Sequence, residues 1–126
     1  METRTENNIL GTPLQPCCFS PITGYFRDGF CKTIAEDHGT HVICAVMTQE
    51  FLKYTASRGN DLSTPRPQWE FPGLQPGDKW CLCVSRWLQA VSAGVAPQIV
   101  LESCHEKALE YAELSLFKRH AIHLQN

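Results

Sequence analysis

A chain of 126 residues, 43% hydrophobic and 19% charged, is long enough to bury about two-thirds of its unfolded surface in one domain without staples. Its 13 acidic and 11 basic residues are spread along the chain and leave a formal charge of −2, which excludes the basic footprint of a nucleic-acid binder and a polybasic membrane anchor. METRTENNIL lacks the order of an export signal and Val42 to Met47 is far too short to span a bilayer, so the protein is expected to be soluble and cytoplasmic.

The predicted elements begin late. Residues 1–7 are read as flexible and residues 8–40, with PLQPCC and several glycines, as a loop-rich wrapping segment. Within it Asp28-Gly29, between Tyr25-Phe26 and Phe30-Cys31, predicts the two-residue turn of a small hairpin. Residues 41–121 read as three strand-helix units. HVICAVM (41–47) is a buried strand, after which Thr48 caps a helix with Phe51, Leu52 and Thr55 on one face and Gly59 at its end. Trp80 to Val84 is the second strand, Ser85 the cap, and Trp87, Ala90 and Val91 the buried face of a helix stopped by Gly94. QIVLE (98–102) is the third strand, followed by a Ser103-x-x-Glu106 capping box and a helix through Tyr111. A last amphipathic segment runs from Leu114 to Ala121. The fold class is α+β: one compact domain, a small sheet with helices mainly on one face and long loops covering the other.

Residues 59–78, GNDLSTPRPQWEFPGLQPGD, form one of those loops. Its length and polar residues make it the best candidate for a functional surface, with PRPQWEF read as a lid whose Trp69 and Phe71 pack down on the sheet.

The segments NILGTPLQPC, TGYFRDGFC, GTHVICAVMTQEFL, RGNDLSTPRP, FPGLQPGDKWCLC, RWLQAVSAGVAP and VLESCHEKAL, in that order and spacing, resemble a family of short proteins from bacteria and plants, a domain of unknown function numbered 2237. The resemblance covers roughly residues 8 to 121 and implies a compact single-domain α+β fold. It implies no activity, substrate or cofactor.

Seven cysteines, an odd number in a chain read as cytoplasmic, are expected to be thiols, either buried or metal-bound. In a strand Cys81 and Cys83 would share a face opposite Trp80, Leu82 and Val84, and there cysteine acts as a small hydrophobe. A zinc site needs four N or S ligands, usually with C-x2-C knuckles; the nearest set is Cys81, Cys83, Cys44 and His41, in which no pair has that spacing, so neither metal nor cofactor is predicted. A thiol enzyme would need a cysteine of depressed pKa beside a base, and the candidates are Cys44 or Cys104 with His41. The binding candidates are Asp37, His41, Asn60, Asp61, Ser63 and Thr64, all in loops or at element ends, where Asx and Ser/Thr turns are the plainer role. His41 and Asp61 are expected to border one polar pocket under the loop. The function stays unknown. The leading reading is a small domain that binds a small ligand or a protein partner through residues 59–78; the alternative is a cysteine-thiol or zinc-dependent enzyme.

Overall fold

A computed structural model describes residues 6–69 and 71–122. Most of the segment expected to be flexible, residues 1–7, therefore lies outside the described residues, while Asn7 forms an isolated bridge with Pro13.

The centre is an antiparallel pair of strands, β1 (His41–Val46) and β2 (Lys79–Cys83), with Cys44 directly opposite Cys81. The side chains of β1 are buried on both faces, because Val42, Ile43, Cys44 and Ala45 are all fully covered. Thr48, two residues beyond β1, caps α1 (Gln49–Ser57) as the sequence predicts, its hydroxyl accepting from the Phe51 N–H at 3.0 Å. Phe51, Leu52 and Thr55 form the buried face. β2 runs straight into α2 (Val84–Ala93), and the helix stops at Gly94, whose φ of +77° is the left-handed cap that glycine permits. Cys83 takes the N-cap position instead of Ser85 and makes no side-chain capping bond, so the strand keeps its predicted length but begins and ends one residue earlier.

Trp87 anchors α2. It is fully buried, stacks on Phe117 of α3 (Leu114–Arg119) at 5.4 Å, and donates its indole N–H to the Pro97 carbonyl at 3.1 Å. Ala90 is buried beside it.

The third strand-helix unit differs from expectation. Residues 98–100 do bond along β1, through Val46 N–H to the Gln98 carbonyl and Val100 N–H to the Cys44 carbonyl, while Ile99 exchanges bonds with His120 and Ile122 on its other side. Only Ile99 forms ladder bridges, to Ala45 and Ala121, before the chain turns into a 3-10 helix at Leu101–Ser103. Among the described residues the sheet thus has two strands rather than three. The predicted capping box is absent as well: the Ser103 hydroxyl donates to the Pro16 carbonyl, tying residue 103 to the wrapping segment, and the ring of His105 accepts the Lys107 N–H at the start of a second 3-10 turn, Glu106–Glu110. No hairpin forms at Asp28-Gly29. Arg27 adopts φ +56° and Gly29 φ +90°, and these bend the chain over the sheet; the Cys17 N–H then bonds to the Gly29 carbonyl at 2.7 Å.

Two disulfides fasten that segment to the strands, Cys17–Cys44 and Cys31–Cys81, which corrects the expectation that all seven cysteines are thiols. Cys18, Cys83 and Cys104 are free. Among the described residues no helix is long and apolar enough to cross a membrane.

Candidate functional site

The bulge between His41 and Ile43 turns the first residue of β1 away from the core. Its ring is fixed from behind. Asp37, 3% exposed, accepts from His41 Nδ1 at 2.6 Å with one carboxylate oxygen, and from the His41 N–H at 2.9 Å and the Thr33 hydroxyl at 3.0 Å with the other. Burial alone would raise the Asp37 pKa. The hydrogen bonds from the His41 backbone and ring, the charge of that ring and the Thr33 hydroxyl outweigh burial and leave it below the ordinary carboxylate value. An ionised Asp37 makes Nδ1 the donor, so Nε2 is the acceptor whenever the ring is neutral, and it makes no hydrogen bond among the described residues. Gly39 permits this placement, since a Cβ there would meet the ring at 2.5 Å.

His41 lines a cavity of about 760 Å³ together with Asn60, Asp61, Leu62 and Arg66 of the long loop. The floor and opposite wall are Trp80, Phe71 and Cys81, and Gly24, Tyr25 and Arg27 of the wrapping segment close the third side. Two arginines lie against tryptophan rings here, Arg27 at 5.1 Å from Trp80 and Arg66 at 5.9 Å from Trp69. Arg66 also approaches Asp61 at 4.0 Å, whereas Arg27 makes no ion pair among the described residues and spends one N–H on the Gly24 carbonyl. The lid divides into two parts. Phe71 packs down on Trp80 with ring centroids 5.2 Å apart, but Trp69 is 64% exposed at the rim.

The loop's polar residues are largely occupied with one another. Asp61 accepts from the Ser63 and Thr64 N–H groups at 2.9 and 3.2 Å and from the Thr64 hydroxyl at 2.6 Å, which holds its pKa down. Asn60 donates to the Thr55 hydroxyl at 2.9 Å and ties the loop to α1. His41, Asn60 and Asp61 thus meet at one cavity; Asp37 stands behind His41, and Ser63 and Thr64 shape the turn without lining that cavity. Arg66, Tyr25 and Trp80 are wall residues that sequence reasoning did not single out. PRPQWEF reads as proline-rich lid and hides its arginine, and Trp80 was expected on the face opposite Cys81.

The cysteine candidates separate into pairs. Cys44 and Cys81 face each other inside, each in a disulfide, while His41 and Cys83 are partners at the other end of the strand pair, where the Cys83 sulfur lies 3.1 Å from the Ser85 hydroxyl. Cys104 is fully buried, its sulfur accepting the Cys44 N–H at 3.3 Å, and burial pushes its thiol up to about 12, so no thiolate forms there near neutral pH.

A family model described as "Uncharacterized protein conserved in bacteria (DUF2237)" matches residues 7–121, and the chain belongs to that family. No curated protein matches it.

Proposed function

We propose that this member of a family without an assigned activity is a ligand-binding domain, and that the cavity under residues 59–78 takes a small amphipathic anion such as an aryl or alkyl carboxylate. The observation that carries the reading is Arg27. Its charge has no ion-pair partner among the described residues and it lies on the Trp80 face at the wall of a cavity that also holds Phe71 and Leu62. A ligand carboxylate could pair with Arg27 and accept from Arg66, while its apolar body covers the tryptophan and phenylalanine surfaces. His41, oriented by Asp37, offers Nε2 to a donor on the same ligand. The overall charge of −2 argues against nucleic acid as the partner. A cytoplasmic location belongs to the proposal: three free cysteines suit a reducing compartment, in which the two disulfides would open.

The test is a thermal-shift and calorimetric screen of small carboxylates. A ligand at a hundred times its Kd adds about 2.7 kcal/mol of stability, a rise of several degrees in Tm. Arg27→Asn, which tolerates the positive φ, should abolish the shift while leaving the unliganded Tm nearly unchanged. A panel in which no carboxylate shifts Tm, or an unaltered shift in Arg27→Asn, would remove the proposal.

A second reading rests on the Asp37–His41 pair, which has the orienter-and-base geometry of general-base catalysis. The thiol or zinc enzyme built on Cys81, Cys83, Cys44 and His41 has less support, because the two cysteines that meet are in disulfides and the other two residues lie at the far end of the strands.

A further inference from the structure

The sulfurs of Cys17, Cys31 and Cys81 all lie within 4.8 Å of one another, and the fourth, Cys44, is bonded to Cys17. The two disulfides therefore lie side by side, three of their four sulfurs in one cluster and the fourth bonded to it. Chain topology brings it together without any knuckle motif: Cys44 and Cys81 are direct cross-strand partners, so their side chains leave the same face of the sheet, and the wrapping segment lays Cys17 and Cys31 over that face. All four residues are buried, at 6% exposure or less.

From this we infer that the group is a redox-interchangeable metal site, which in its reduced form binds one zinc ion through the thiolates of Cys17, Cys31, Cys44 and Cys81. A tetrahedral zinc with Zn–S bonds of about 2.3 Å separates its sulfurs by about 3.8 Å. The three sulfurs already within 4.8 Å, with Cys44 one S–S bond away from Cys17, reach that arrangement by side-chain rotations once the two S–S bonds are open. Four sulfur donors with no open position make a closed structural site, and thiolates select zinc or a similarly soft ion over magnesium or calcium. Each disulfide takes two electrons and two protons from a dithiol, which closes to its own cyclic disulfide. Zinc then displaces the four thiol protons and leaves a tetrathiolate of net charge −2. In either form the wrapping segment stays joined to β1 and β2 at the same four points, so the protein has one set of anchors for an oxidising and a reducing compartment. Cys18, Cys83 and Cys104 stand outside the group.

The experiment uses the full chain, reduced with a dithiol and desalted under anaerobic conditions, then titrated with Co2+ as a visible reporter and with Zn2+. One Co2+ per chain, with the intense visible and sulfur-to-cobalt absorption of a tetrahedral thiolate site, is expected, and Zn2+ should displace it. Cys31→Ser should weaken or erase those bands and Cys83→Ser should leave them intact. Because Cys31→Ser could misfold, a second measurement uses the unaltered protein: alkylation of the zinc-loaded reduced chain, read by peptide mass spectrometry, should spare Cys17, Cys31, Cys44 and Cys81 while modifying Cys18 and Cys83. Substoichiometric cobalt, equal alkylation of the four cysteines with and without zinc, or loss of the bands in Cys83→Ser would overturn the assignment.

Discussion

Between Asn7 and Thr40 the chain has no helix and only isolated bridges, whereas from His41 to Ala93 two strand-helix units follow each other, separated by one long loop. Both regions contribute fully buried residues, but they satisfy their polar groups by different means. In the second region ladders and helix bonds do the work, and the apolar faces of Phe51, Leu52, Trp87 and Ala90 supply the burial. In the first, single side chains act in place of a ladder. The Asn8 amide accepts from the Leu10 and Thr12 N–H groups and donates to the Thr12 hydroxyl and the Pro13 and Glu102 carbonyls, and the Thr23 hydroxyl accepts the Cys81 N–H on β2. The lesson is that an irregular segment can be as well satisfied as a regular one when a few polar side chains and sulfurs are correctly placed, at the cost of depending on each of them.

That contrast can be tested from its strongest member downward. Trp87→Ala removes a fully buried indole, its stacking on Phe117 and its bond to Pro97, and should cost about 5 kcal/mol by urea denaturation; a value under about 1 kcal/mol would mean α2 is not held by this residue. Removing the Cys31–Cys81 link in a Cys31→Ala, Cys81→Ala double variant, with the protein kept oxidised and metal-free, should cost about 4 kcal/mol for a separation of 50 residues. Hydrogen exchange should then rise first across residues 7–40, and uniform exchange over the whole domain would contradict the division into two regions.

Asn8→Ala comes next. It strands buried backbone groups and should destabilise by about 2 kcal/mol, although no regular element is touched. Acid gives a subtler readout. Because the folded Asp37 pKa lies below its ordinary value of 3.8, the pair with His41 stabilises fully above that value and is lost as the pH falls through the depressed one. Asp37→Asn should therefore flatten that part of the acid-unfolding profile; an unchanged profile would show that the pair carries no weight. Smallest of all should be Asp61→Ala on the exposed loop, where a clear fall in Tm would show that its turn bonds hold more than the turn.

The units legible in the sequence were those written in local terms. Thr48 capping α1, the Phe51-Leu52-Thr55 face and Gly94 after α2 all follow from spacing within a few residues. Ile99 was not legible, because QIVLE has strand composition while its single bridging residue is clasped between β1 and Ala121, a relation of distant segments. The disulfides were illegible for the same reason, since they join residues 27 and 50 positions apart and form only where the wrapping segment crosses the strands. For the cavity, the loop and His41 could be foreseen from chain order, since the loop leaves α1 and must return to β2; Arg66 and the stacking of Arg27 on Trp80 could not, because they depend on how the wrapping segment settles.

The direct opposition of Cys44 and Cys81 has one more consequence. Slipping β1 past β2 by a single residue would turn one of the two sulfurs to the opposite face, where neither Cys17 nor Cys31 could reach it. A chain with misaligned strands could close at most one of the two links. The sulfur group therefore works as a gauge of alignment: full oxidation, or a full complement of metal, certifies that the central pair has been assembled in the right frame, and mispaired molecules stay marked by surplus reactive thiols.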